Sequence, residues 1–185
     1  MEQQKTTWEY MLHYGALLGM FWIFQYLFFI GQTYWVHFIY FYQLFNIVSP
    51  LLMYVFYLDY TTKTPERKHN LWRCVLFVTG ICFLGSFFDA AIRYAHYAFI
   101  NPDVFANLSA VGTGIAESWL KVMDKHDAFK HMSPEQVTTL KDQYIAVMQS
   151  KLPYIISEMI SKVFLGFIFS FLIALLTKNR QSKIK

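Results

Sequence analysis

Apolar residues in this chain fall into long blocks and not at the isolated positions of a soluble core. The first block, about 11–30, contains no charged residue. A second runs over 38–58, a third over 72–99 and a fourth over 153–177. An α-helix rises about 1.5 Å per residue, so some twenty apolar residues cross a hydrocarbon core of about 30 Å. The pattern predicts an all-α membrane protein, residues 1–185 forming a single membrane domain with four transmembrane helices arranged as a four-helix bundle. Inside the second block Ser49 and Pro50 predict a kink, because proline removes a backbone donor and crowds the preceding turn.

The connections set the direction of threading. Gly31 to His37 carries no Lys or Arg, whereas the stretch from Asp59 to Arg73 holds Lys63, Arg67, Lys68 and Arg73, and the tail from Lys178 is basic. Short basic loops stay in the cytoplasm. That rule puts both termini inside, with Lys5 adding weakly to the inner charge, and makes 101–152 an extracytoplasmic segment. Trp8, Trp35 and Trp72 sit at span ends, where indole rings favour the headgroup region. The first block is too long for the apolar core of a cleaved leader and has no small-residue cleavage site after it.

Between spans three and four the period changes. Phe105, Leu108, Gly112, Ile115, Trp119, Val122, His126 and Phe129 recur at three- and four-residue steps, one stripe of an amphipathic helix. Ser133, Pro134 and Gln136 read as an N-cap, a first-turn proline and a capping-box partner. Val137, Leu140, Tyr144 and Val147 then continue a second stripe. A helical hairpin follows from the two stripes, acting as a structural cap on the spans or as a surface for a partner, a ligand or lipid headgroups.

Composition agrees with a lipid environment: 56% of the 185 residues are hydrophobic, 20% aromatic and 15% charged. The formal net charge of +4, without a long basic run, argues against a nucleic-acid partner. Cys74 and Cys82 lie about 12 Å apart along one helix, too far for a disulfide.

Four ionisable residues interrupt the last two spans. Asp89 and Arg93 are four apart on the third helix, and Glu158 and Lys162 are four apart on the fourth, so each pair shares a face. Asp89 lies 16 residues past Arg73 and Lys162 lies 16 before Lys178, while Arg93 and Glu158 each lie 20 from the same markers. Antiparallel neighbours then set Asp89 beside Lys162 and Arg93 beside Glu158. This intramembrane charge network reads first as a device fixing helix register. An anionic-headgroup pocket built on Arg93 and Lys162, or a proton or ion relay, are the other readings.

Small residues mark close helix packing, because lipid offers helices no hydrophobic drive to associate. Gly15 and Gly19 form one such step, Gly166, Ser170 and Ala174 a longer ridge, and Ser86 with Ala90 a shorter one. They bundle the spans within one chain or join a homo-oligomer. Gln25, Gln43 and Asn46 are polar groups inside spans that either bond across helices or line a polar cleft.

Reactive chemistry has no clear signature. The S-x-x-K of Ser118 to Lys121 lacks companion motifs, His126 and His131 do not share a helix face, and no cluster has metal-ligand spacing. No catalytic residue, metal or cofactor is expected.

The chain resembles an uncharacterised Bacteroidetes family of small four-span integral membrane proteins, known as a domain of unknown function. The likeness is carried by Tyr14, Gly15 and Gly19, by Arg93, Tyr94, Ile100, Asn101 and Pro102, by Met132, Ser133, Glu135 and Gln136, and by Gly166, Ser170, Ala174 and Lys178. The resemblance implies a bacterial cytoplasmic (inner) membrane. It also implies, as neighbour and partner, a glycosyltransferase similar to polyprenyl-phosphate sugar transferases. The resulting expectation is a non-catalytic scaffold or accessory subunit in contact with membrane lipids and such a protein partner. The alternative is a small homo-oligomeric transporter or lipid-carrier translocator whose cleft is lined by Gln25, Gln43, Asn46 and Asp89.

Overall fold

The first helix begins earlier than its apolar block. Thr6 Oγ1 accepts the Glu9 amide at 3.2 Å and Glu9 returns a carboxylate to the Thr6 amide at 2.5 Å, a complete capping box. This cap satisfies donors that the first turn leaves without intrahelical partners. The helix therefore starts at the cap and not at the last charge.

The computed structural model describes residues 6–32, 34–65, 70–126 and 128–181, with the backbone alone at 115, 116 and 178–181. Among the described residues every regular element is helical: α1 (Thr7–Gly31), α2 (Phe38–Lys63), α3 (Leu71–Ala95) with a π-helical turn at His96–Ile100, α4 (Pro102–Lys125), α5 (Pro134–Gln149) and α6 (Lys151–Gln181). Four segments are long and apolar enough to cross a membrane: Thr7–Gly31, Phe38–Lys63, Leu71–Ile100 and Lys151–Thr177. Four such helices make a multi-pass membrane protein. Lys5, Arg67, Lys68 and the side chains of the basic tail lie outside the described residues.

The chain divides into two compact units, Met1–Asp89 with Met159–Lys185, and Ala90–Glu158. In the first unit α1 packs along α2, and α3 supplies much of the core through Cys74, Phe77, Val78, Ile81 and Cys82. Tyr60 stacks on Phe77 at 4.3 Å, and Tyr14, Trp22, Met53 and Tyr57 complete the packing. Many of the exposed side chains on α2 and α6, among them Leu44, Ile47, Leu51, Val55, Ile160, Phe164 and Leu172, are aliphatic or aromatic. Lipid tolerates them where water would not.

Two contacts explain how closely these helices approach. A Cβ on Gly19 would stand 3.0 Å from the Gly85 carbonyl oxygen, and one on Gly85 would stand 3.1 Å from the Gly15 oxygen and the Gly19 nitrogen. Backbone touches backbone at this crossing of α1 and α3, which only glycine permits. Where α6 meets α3, a Cβ on Gly166 would come within 2.8 Å of Cys82 Cβ, and Cys74 Sγ donates to the Ser170 carbonyl at 3.4 Å. Ala174 packs against the same core.

In the second unit Ser133 caps α5, its hydroxyl taking the Gln136 amide at 3.3 Å while Gln136 Oε1 takes the Ser133 amide at 2.8 Å. Helices α4 and α5 pack on each other, with Gly112 resting on Met148. The apolar arc of α4 splits. Of the stripe expected from the spacing, Phe105 is buried whereas Trp119 and Val122 point outward, and Leu120, outside that stripe, is buried, so the apolar residues serve two faces. At about 100° per residue, Leu120 and Trp119 cannot share a narrow face, and packing selects Leu120. Ile115 belongs to the residues whose side chains are not described.

Candidate functional site: ionisable groups within the spans

Within the first unit Asp89 is buried on α3 at 2% exposure, and Lys162 reaches it from α6 as an ammonium–carboxylate pair. The same ammonium lies 4.7 Å from the centroid of the Trp22 ring on α1. Trp22 Nε1 donates to Ser49 Oγ on α2 at 3.1 Å, and Ser49 in turn donates to the Phe45 carbonyl at 3.1 Å. One line of polar contacts therefore crosses α3, α6, α1 and α2. Each step has a physical reason: a desolvated cation is held by a carboxylate and an aromatic face, and the indole N–H finds an acceptor. A cation over a ring gains about 2 kcal/mol when water is excluded.

Within the second unit Arg93, 4% exposed, places Nη1 3.1 Å from Glu158 Oε2. Tyr154 donates its hydroxyl to Glu158 Oε1 at 3.4 Å. The side chain of Glu158 keeps 29% exposure, so this pair is less enclosed than Asp89 with Lys162. His96 and Tyr97, both buried, occupy the π-helical turn beside Arg93, and Tyr97 packs on Phe105. π-Turns insert one extra residue into a helix and recur at functional positions.

The three amides separate. Buried Gln25 donates from Nε2 to Asn46 Oδ1 at 2.8 Å and to the Tyr42 carbonyl at 3.1 Å, joining α1 to α2. Gln43 is exposed on α2. A cleft lined by these amides and Asp89 would need them turned toward one space. Instead Gln25 and Asn46 bond to each other, and Asp89 bonds to Lys162. A Gln25→Leu, Asn46→Leu double-mutant cycle is expected to give a coupling of about 0.6 kcal/mol, the usual size for interhelical hydrogen bonds in bilayers. Reversible unfolding in mixed micelles measures it, and zero coupling contradicts the contact.

A further cluster went unread in the sequence. Tyr14 donates to Asp59, Lys63 Nζ lies 2.7 Å from Asp59 Oδ2, and the same ammonium lies 3.4 Å from the Tyr14 hydroxyl. Asp59 and Lys63 are four apart, the spacing of a helix pair, and that signal extends α2 past Leu58. Among the described residues no group of three His, Cys, Asp or Glu is placed to hold a metal ion. Cys74 and Cys82 are free buried thiols.

This chain of helices, with its charge pairs in spans three and four, matches a family described as "Protein of unknown function (DUF4199)" over residues 13–179. The chain belongs to the DUF4199 family. The match reaches all four membrane-crossing helices, the first of them from residue 13 onward, and includes both charge pairs, so the ionisable contacts of this site lie within the DUF4199 region. No curated protein and no solved structure matches the chain.

Proposed function

We propose that this DUF4199 protein is a non-catalytic scaffold or accessory subunit that holds a partner enzyme of envelope synthesis at the bacterial cytoplasmic membrane. The observation that carries the reading is the use made of the intramembrane ionisable groups. Asp89, Lys162 and Trp22 engage one another, as do Arg93, Glu158 and Tyr154. Contacts of this kind fix which helices meet and in what register, the service a scaffold requires.

Both termini are cytoplasmic in this reading, with α4 and α5 on the outer side. Lys63 and Arg73 flank the connection of α2 to α3, and basic residues there favour retention inside and attraction to anionic lipid. The partner class, a glycosyltransferase of the polyprenyl-phosphate type, rests on the family resemblance noted from the sequence.

Affinity purification in mild detergent at native expression tests the proposal. A membrane-bound enzyme of glycan or lipid synthesis is expected in near-stoichiometric amount, and its membrane association is expected to fall when this chain is deleted. Recovery of the chain without such an enzyme, or unchanged membrane association after deletion, overturns the reading.

A further inference from the structure

The outward side of α4 carries apolar groups that the second unit does not cover. Val111 is 63% exposed, Trp119 62% and Val122 48%. They border an open groove of about 510 Å³ whose lining also includes Gly114 and Ser118. A Cβ on Gly114 would meet nothing within 4 Å, and Ser118 turns its hydroxyl back onto the Gly114 carbonyl at 2.8 Å. The floor of the groove is therefore flat, and the Ser118 hydroxyl on it is already bonded to its own helix. A second helix can approach such a floor closely.

Charge at the two ends of α4 indicates which helix. Asp103 lies in the first turn and Lys125 in the last, both exposed, and neither makes an ion pair among the described residues. Asp103, Gly114 and Lys125 are spaced by 11 residues and again by 11. Eleven residues make three turns plus about 20°, so these three positions follow one line along the helix, each end about 16 Å from Gly114. A two-fold axis through Gly114 sets Asp103 of each copy opposite Lys125 of the other. Parallel pairing would instead oppose like charges at both ends.

We propose that α4 docks antiparallel on α4 of a second copy of this chain, crossing at Gly114. The contact is isologous, so both ends are satisfied by one geometry. A shallow crossing of about 20° keeps the terminal charges within reach of each other. With two copies inserted alike in one bilayer, the two-fold axis runs along the membrane normal. A partner helix of a single charge sign would match one end of α4 and oppose the other. This self-association is independent of the scaffold reading, and either can fail without the other.

Full-length Gly114→Cys in native membrane vesicles, oxidised with copper phenanthroline, is the test. A band of twice the chain mass is expected, at least fivefold above that of Leu51→Cys, an exposed position on α2. In the Gly114→Cys background, Asp103→Lys or Lys125→Asp alone is expected to reduce the dimer at least fivefold, and the two together to restore it. Elution of each variant as a single sharp species in detergent separates loss of docking from loss of folding. Cross-linking no greater than for Leu51→Cys overturns the proposal. So does a cross-linked band of any other mass, which identifies a different protein on this face. Labelling of Gly114→Cys by a lipid-soluble maleimide without dimer places the face on lipid and overturns it as well.

Discussion

Lys162→Ala is expected to destabilise the first unit by about 3–5 kcal/mol, the cost of leaving a buried carboxylate without its cation. Asp89 is only 2% exposed, so water cannot take the place of the lost ammonium. Trp22 loses the cation over its ring in the same step. The double variant Asp89→Asn, Lys162→Met removes both charges and keeps much of the volume, and it is expected to recover most of the loss. Arg93→Ala is expected to cost less, because the Glu158 side chain retains 29% exposure. Reversible unfolding in sodium dodecyl sulfate and mixed micelles, followed by circular dichroism, ranks the three variants. Equal stability of Lys162→Ala and the double variant would show that the pair does not act as a coupled unit.

Gly85→Leu is expected to be the most damaging apolar substitution in α3. The new side chain must enter space held by the Gly15 carbonyl, the Gly19 amide and the Trp22 ring, each about 3.1 Å from the first added carbon. Two of these are backbone atoms, which relax only if the helices move apart. Overpacking of this kind costs about 1–3 kcal/mol in ordinary cores, and a backbone wall puts this site at about 3 kcal/mol or above. Separation of α1 from α3 also strips cover from Leu18 and Trp22, which are buried in the same core. Leu51→Ala on α2 is the control, since Leu51 is exposed and takes no part in the buried core. The same micelle titration measures both, and unchanged unfolding of Gly85→Leu would contradict the close crossing.

Much of the helical layout was readable because lipid imposes a coarse rule: a spanning segment needs some twenty apolar residues and internal hydrogen bonds. What escaped was local. The start of α1 depends on Thr6 and Glu9, two polar residues outside the apolar block, and α2 continues because Asp59 and Lys63 pair along one face. The four-residue step of Gly15 and Gly19 announced a close contact, but their partner Gly85 has no such step and gave no warning. Trp22 sits far from the span ends where tryptophans gather, and that misplacement was the available sign of an interior role. The π-turn at His96–Ile100 has no compositional mark at all. On α4 the spacing showed an apolar helix but could not divide its arc between the face against α5 and the face left open, because neighbouring positions such as Trp119 and Leu120 are equally apolar.

The uneven cover of α2 makes this helix the part of the protein most exposed to the bilayer's own mechanics. It buries only Ser49, Met53, Tyr57 and Tyr60, and the apolar part of its 26 residues, 38–58, reaches about 31 Å, close to the thickness of a hydrocarbon slab of about 30 Å. In a thinner bilayer the resulting hydrophobic mismatch is relieved by tilting, and α2 would then tilt about its attachments to α1: Ser49 on Trp22, Asn46 on Gln25 and Asp59 on Tyr14. Membrane thickness thus acts on the hydrogen bonds that hold Trp22 against Lys162, so acyl-chain length becomes a means of tuning the charged centre without touching any of its residues.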